Sequence, residues 1–165
     1  MLHVVLFQPE IAENTGNIIR TCVAFNATLH LIRPYGFFFS KESAKIKRSC
    51  ANYLDKCTIK EYDSYEEFVN NCQPQLIFYL SRYGKITSKE IKFDVKKDNY
   101  IMFGKESTGI DKDILRKNID KTFRIPTSTN VRSLNVANCV SIIAYQYVSV
   151  ADFDDLSLTD QFKSI

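Results

Sequence analysis

The fold class follows from residues 100–116, Tyr-Ile-Met-Phe-Gly-Lys-Glu-Ser-Thr-Gly-Ile-Asp-Lys-Asp-Ile-Leu-Arg. Residues 100–103 are apolar or aromatic and predict a buried strand, and Ile110 to Arg116 predicts a short helix. Between them lies a turn with two glycines, a lysine and a glutamate. A strand, a glycine-containing turn and a helix in this order are typical of an α/β domain, whose ligands bind beyond the carboxyl ends of parallel strands.

The same alternation extends along the chain of 165 residues. Further strands are predicted at Leu2–Phe7, Leu29–Ile32, Thr58–Tyr62, Gln75–Leu80 and Thr122–Ile125. Further helices are predicted at Asn14–Phe25, at Ser40–Cys50, from Ser64 to about Val69, and at Asn135–Val150. The expected N-caps are Asn14 for the first of these helices, the capping box at Ser64 for the third, and Ser133 or Asn135 for the last. We therefore predict one α/β domain over residues 1–165 with a mostly parallel sheet and a polar tail that frays after Ala151.

Composition sets broad limits on partners and compartment. The net charge of +3 permits a nucleic-acid partner without requiring one. The five cysteines lack C-x-x-C spacing and only two histidines are present, so we expect free thiols and no metal site. No apolar run approaches the ~18 residues of a membrane span, and the N-terminus lacks signal-peptide features. We expect a cytosolic protein without a membrane partner.

The last predicted helix, residues 135–150, has almost no polar face. A helix that is apolar nearly all round is covered on both sides. One side can pack against the sheet, and we expect the other to pack against a second copy in a homodimer. A deeply buried helix in a monomer is the alternative.

Three polar clusters stand at predicted strand ends or helix starts. The first is residues 14–20, Asn-Thr-Gly-Asn-Ile-Ile-Arg, where amides at a helix N-terminus favour an anion or an RNA phosphate. The second, residues 103–110, lacks the glycine spacing of the ATP-binding P-loop and of the dinucleotide fingerprint, but it suits a nucleoside pocket. The third joins Arg-Ile-Pro at 124–126 to Arg-Ser-Leu-Asn-Val-Ala-Asn at 132–138, more polar groups than helix capping needs.

Together and in this order, the clusters resemble the motifs of the SPOUT RNA methyltransferases, most of all the small TrmL-type members. The resemblance runs from Val4 to Tyr145. It implies an α/β fold with a C-terminal trefoil knot, S-adenosylmethionine as cofactor, and a homodimer paired through the first and last helices with Tyr145 at the contact. It also implies methyl transfer to the ribose 2′-hydroxyl of the wobble nucleotide, cytidine or uridine 34, in the anticodon stem–loop of tRNA.

The resemblance also assigns residues. Arg20 is the expected catalytic residue, either as general base or, since guanidinium keeps its proton to about pH 12, as a cation that stabilises the forming alkoxide. The expected cofactor-binding residues are Leu80, Gly104, Glu106, Gly109, Ile125, Ser133 and Leu134. The expected RNA-binding residues are Asn14, Arg20, Lys105, Arg132 and Asn135. The basic side chains of Lys41, Lys45, Lys47 and Arg48 are either further phosphate contacts or a solvated face.

Other functions are compatible with the same sequence. They are methylation of a different tRNA or rRNA position, a non-catalytic RNA-binding module on this scaffold, and a flavodoxin-like regulatory domain. The joint presence of Arg20, Gly104 and Gly109 disfavours the silent module, and no acidic cluster follows the first strand as in a flavodoxin-like domain. The methyltransferase hypothesis requires the segments near positions 20, 105 and 133 to meet in one cavity.

Overall fold

The computed structural model describes residues 1–40 and 43–159, and its centre is a seven-stranded sheet. The strands are β1 (Leu2–Phe7), β2 (Thr28–Ile32), β3 (Ile59–Tyr62), β4 (Leu76–Leu80), β5 (Ile86–Thr87), β6 (Asn99–Phe103) and β7 (Thr122–Arg124). Their order across the sheet is β3-β2-β1-β6-β4-β7-β5, and each pairing is parallel. The predicted α/β class with a parallel sheet is confirmed.

Helices cover both faces of this sheet. They are α1 (Ala12–Ala24), α2 (Ala44–Ser49), α3 (Tyr65–Cys72), α4 (Lys112–Lys117) and α5 (Val136–Val150), with 3₁₀ turns at Leu54–Lys56, Ser88–Glu90 and Ile119–Lys121. Helices α1, α2 and α5 pack on one face, and α3 and α4 on the other. Among the residues that the structure describes, none of the helices is long and apolar enough to cross a bilayer.

The inner strand β1 shows why a run that is apolar except for His3 forms a strand here. All six of its residues are buried, because successive side chains alternate between two covered faces. Leu2, Val4 and Leu6 join the core under α1 and α5, while Val5 and Phe7 join the core under α3 and α4. Full burial of such side chains stabilises the fold by roughly 1.5–3 kcal/mol each.

Two of the predicted helix caps are observed in the structure, and a third is not. Ser64 does cap α3, since its hydroxyl accepts a hydrogen bond from the Glu67 backbone N–H at 3.1 Å. Asn135 caps α5. The prediction that Asn14 caps α1 is wrong, because the helix begins at Ala12 after Ile11, which makes no side-chain cap.

The remaining differences are local. The short strand β5 was not predicted, and α4 begins at Lys112, because Asp111 accepts hydrogen bonds from the next turn. The predicted helix from Ser40 to Cys50 is observed at 44–49, and Lys41 lies outside the described residues. Beyond residue 151, where fraying is expected, hydrogen-bonded turns continue to Leu156, which packs against the core.

A buried polar chain crosses the sheet on the α3 face. The Nδ1 of His3 lies 2.9 Å from the Nε2 of His30, and the Nδ1 of His30 lies 2.9 Å from the hydroxyl of Tyr62. At the surface end, the Nε2 of His3 lies 3.3 Å from the carboxylate of Asp98. Burial lowers the pKa of His30 to about 3, with smaller contributions from repulsion by His3 when that ring is protonated and from the charge of Lys60, and burial also lowers the pKa of His3. Both imidazoles are therefore neutral in the folded protein at pH 7.

This burial predicts acid sensitivity. The unfolded chain takes up protons at His30 below about pH 6.5, whereas the folded chain does not until about pH 3. The free energy of unfolding is therefore highest above pH 6.5. It falls as the pH is lowered, by on the order of 2 kcal/mol between pH 6.5 and 5. Urea unfolding across this range measures the loss. The His30→Gln variant, which cannot titrate there, should show a flatter dependence, and equal slopes would contradict the prediction.

Candidate active site

A cavity of about 480 Å³ lies at the carboxyl edge of the sheet. Its walls come from the start of α1 and from the segments that follow β4, β6 and β7. Parallel strands bring their carboxyl ends to one edge, which is why four segments far apart in sequence meet there. The volume lies within the range of small-molecule sites.

The structure brings the predicted cofactor residues together in this one cavity. Its lining includes Leu80, Gly104, Glu106, Gly109, Ile125, Ser133 and Leu134. The lining also includes four of the predicted RNA-binding residues, namely Asn14, Lys105, Arg132 and Asn135. Segments near positions 105 and 133 therefore meet as expected, whereas the segment near position 20 contributes Asn14 but not Arg20.

Glu106 connects the three sequence clusters. Its Oε2 accepts a hydrogen bond from the backbone N–H of Glu10 at 2.8 Å, and its Oε1 accepts one from the Nδ2 of Asn14 at 2.8 Å. The Oδ1 of Asn14 in turn accepts a hydrogen bond from the Nδ2 of Asn135 at 2.9 Å. Asn14 is only 6% exposed, and its side-chain oxygen and nitrogen both have protein partners. Asn14 thus holds the rim of the cavity together.

A second glutamate makes the reverse contact, and the sequence analysis missed it as a site residue. The carboxylate of Glu10 accepts hydrogen bonds from the backbone N–H of Ser107 at 2.9 Å and from its hydroxyl at 2.8 Å. A signal was available, because Glu10 stands three residues after β1 just as Glu106 stands three residues after β6. The two loops therefore hold each other through reciprocal carboxylate contacts.

The loop after β6 closes tightly on itself. A Cβ on Gly104 would lie 2.1 Å from the backbone carbon of Gly109 and 2.1 Å from the nitrogen of Ile110. The backbone N–H of Gly109 donates to the carbonyl of Lys105 at 2.9 Å, which completes the turn. Only glycine fits at position 104, because any side chain would collide with fixed backbone.

The cavity wall is predominantly positive. Arg82, Lys105, Arg124 and Arg132 line it, against the single carboxylate of Glu106 among the described lining residues. One wall hydroxyl, the Oγ1 of Thr127, is buried without a hydrogen-bond partner in the part of the chain that the structure describes. A buried hydroxyl without a protein partner commonly hydrogen-bonds to a water molecule or a ligand. The arrangement suits a ligand that carries both anionic and hydrogen-bonding groups.

Arg20 lies apart from this cavity. It is exposed on α1, eight residues after Ala12, or roughly 12 Å along the helix at 1.5 Å per residue. Its guanidinium forms no ion pair within residues 1–40 and 43–159. The same described residues contain no group of three or more His, Cys, Asp or Glu side chains that could hold a metal ion.

Residues 1–145 match the SpoU rRNA methylase family. The chain belongs to this family. A protein of Geobacillus stearothermophilus, provisionally named tRNA (cytidine(34)-2′-O)-methyltransferase, is 42% identical to this SpoU chain over 157 residues, which cover 94% of the chain and 99% of the relative. The resemblance to the SPOUT methyltransferases is thereby confirmed.

Solved structures agree with the assignment to the SpoU family. An RNA methyltransferase structure from Bacillus anthracis, also named provisionally, superposes with a TM-score of 0.89 at 39% identity, covering 97% of this chain and 100% of that one. A second structure, described as giving insights into the 2-OH methylation of C/U34 on tRNA, superposes with a TM-score of 0.83 at 36% identity, covering 92% and 97%. The fold is the α/β knot of the SpoU family, in which the segment between β7 and α5 forms one wall of the cavity.

The contacts of Glu106 predict its contribution to stability. In the Glu106→Gln variant one carboxylate oxygen becomes an amide that faces a donor, either the Glu10 N–H or the Asn14 amide. Loss of a hydrogen bond to a charged group should lower the free energy of unfolding by about 1–3 kcal/mol. Urea denaturation measures this, with exposed Glu66→Gln on α3 as the matched control. An equal loss in the free energy of unfolding in Glu106→Gln and Glu66→Gln would argue against the hydrogen bonds of Glu106.

Proposed function

We propose that this protein transfers a methyl group to the ribose 2′-hydroxyl of the wobble nucleotide of tRNA, cytidine or uridine at position 34. The observation that carries the proposal is that three distant sequence clusters meet in one positively lined cavity. Relatives and a solved structure at 36–42% identity are named for methylation at this nucleotide. A tRNA substrate is consistent with an enzyme that acts in the cytosol.

The methyl donor of the proposal is S-adenosylmethionine, which supplies, when bound, a methyl group on a positively charged sulfur. The lining fits such a molecule. Leu80, Ile125 and Leu134 offer apolar surface for a base, and the buried hydroxyl of Thr127 offers an unpaired polar atom. The cations of the wall, with Arg132 exposed at the rim, suit the donor's carboxylate and the phosphates of an RNA.

The chain must also position a poorly acidic ribose hydroxyl and help it lose its proton. Positioning alone contributes up to roughly 7–11 kcal/mol in favourable cases. Glu106 has both carboxylate oxygens hydrogen-bonded to protein donors, so in this proposal it positions the loop and does not act as the base. Arg20 remains the proposed catalytic residue, as general base or as a cation beside the forming alkoxide.

Because Arg20 lies outside the cavity of its own chain, the proposal places it in the cavity of a second copy. Helix α5 presents Ile142 and Tyr145 to solvent at 43% and 56% exposure, and α5 packs beside α1 with the hydroxyls of Ser141 and Thr21 3.1 Å apart. A homodimer paired through α1 and α5 would bury these apolar side chains. It would also carry Arg20 toward the partner.

Methylation of purified tRNA tests the function and the role of Arg20 together. We expect the wild-type protein to transfer labelled methyl groups from S-adenosylmethionine to nucleotide 34, located by mapping of ribose methylation. Arg20→Ala should lower the rate by at least about 100-fold, the scale of general acid–base catalysis, with the affinity for the donor unchanged. Arg116→Ala, an exposed arginine on α4, is the control. Methylation of another nucleotide would refute the assignment of nucleotide 34 as the target. Full activity of Arg20→Ala would refute the catalytic role of Arg20.

The dimer predicts a second phenotype. Tyr145→Asp puts a charge into the proposed interface and should convert the dimer to a monomer in light-scattering measurements. Methylation should then fall as far as in Arg20→Ala, while donor binding, which uses the cavity of one chain, changes less than about threefold. Val95→Ala, at an exposed apolar side chain before β6, should leave the dimer intact. A monomeric Tyr145→Asp protein with full activity would show that Arg20 acts within its own chain.

A further inference from the structure

An aromatic segment that none of these roles uses lies between β2 and α2. Residues 35–39, Tyr-Gly-Phe-Phe-Phe, form what we name the aromatic loop. The rings of Tyr35, Phe37 and Phe39 contact one another, with centroids 5.9, 6.0 and 6.4 Å apart, and pack against the core. Phe38 differs from its neighbours, because it is 83% exposed and has no ring contact within the described residues.

The aromatic loop is fixed to the rim of the cavity. The backbone N–H of Gly36 donates to the carbonyl of Pro9 at 2.9 Å, and a Cβ on Gly36 would lie 2.7 Å from the Cα of Glu10. Glu10 in turn holds Ser107, which lines the cavity. Phe38 therefore stands on an anchored segment that is two contacts away from the active site.

Positive charge lies next along the chain. Helix α2 exposes Lys45, Lys47 and Arg48, while its Ile46 is fully buried in the core. Lys45 is 3.8 Å from Glu13 of α1, which places α2 beside the first helix. Lys47 and Arg48 form no ion pair within the described residues, so their charges are available to an anion.

We propose that Phe38 stacks on an unpaired nucleobase of the RNA substrate while the α2 cations contact the phosphates of that strand. Single exposed apolar side chains are common, but this one stands on a loop that is anchored to the cavity rim through Glu10 and that precedes a basic helix in the chain. An aromatic face next to cations is how proteins bind single-stranded RNA, since each base has a face that stacks and each phosphate a charge. The inference rests on the proposed function, because the RNA in the cavity and the RNA on the aromatic loop are the same molecule.

The test uses the full-length protein and an anticodon stem–loop RNA in which 2-aminopurine replaces one unpaired purine of the loop. Stacking quenches this base, so wild type should quench it and Phe38→Ala should not. The dissociation constant for the RNA and the KM should rise between about five-fold and about 100-fold in Phe38→Ala, with kcat within about twofold. Phe38→Trp should restore binding and quenching. Val95→Ala is the matched control for loss of an exposed apolar side chain.

Donor affinity and oligomeric state separate the outcomes. Both should be unchanged in Phe38→Ala, and a monomeric variant would instead make Phe38 a contact between copies and overturn the proposal. RNA binding by Phe38→Ala equal to wild type, or equal losses in the Ala and Trp variants, would also overturn it. RNA binding and fluorescence quenching can be measured without methyl transfer, so they test the inference separately from the proposed function. A wild-type protein that quenches the RNA without methylating it would refute the proposed function alone.

Discussion

The cavity depends on one hydrogen-bonded carboxylate. Glu106 joins the loop after β6 to the loop after β1, and through Asn14 to the start of α5. Backbone N–H groups in tight loops need partners, and those of Glu10 and Ser107 find them in the glutamate of the opposite loop. Each loop thereby supplies a carboxylate acceptor for a backbone N–H of the other loop. Both oxygens of Glu106 accept hydrogen bonds from protein groups. The one carboxylate among the described lining residues, which stands among several cationic side chains, is therefore already occupied.

Much of the fold could be predicted because buried parallel strands have a strong sequence signal. The run from Leu2 to Phe7 is apolar except for His3 and is buried on both faces, and its predicted bounds match β1. Strand β5 has only two residues and carries no periodicity, so it is visible only through its pairing with β7. The start of α1 was misplaced because Asn14 is a good N-cap in isolation, whereas its side chain is used by Glu106 and Asn135 in the fold.

The site was predictable to the extent that it rests on ordered motifs. Residues near Gly104 and Ser133 were assigned from the family resemblance, and the structure places them in one cavity. Glu10 was missed although its spacing after β1 repeats that of Glu106 after β6, because nothing in the sequence shows that it contacts Ser107, 97 residues away. The position of Arg20 follows from the length of α1, since a side chain eight residues into a helix cannot return to the helix start.

The sequence separations within this hydrogen-bond network determine when a cavity can exist during biosynthesis. Glu106 and Asn14 are 92 residues apart, and Asn14 and Asn135 are 121 residues apart. Contacts at such separations form late in folding, because loop closure costs entropy before they are made. At roughly 5–20 residues per second, a ribosome makes β1 and α1 several seconds before Asn135. The nascent chain therefore has no complete pocket, and ligand binding becomes possible only once the C-terminal helix has been released from the ribosomal tunnel.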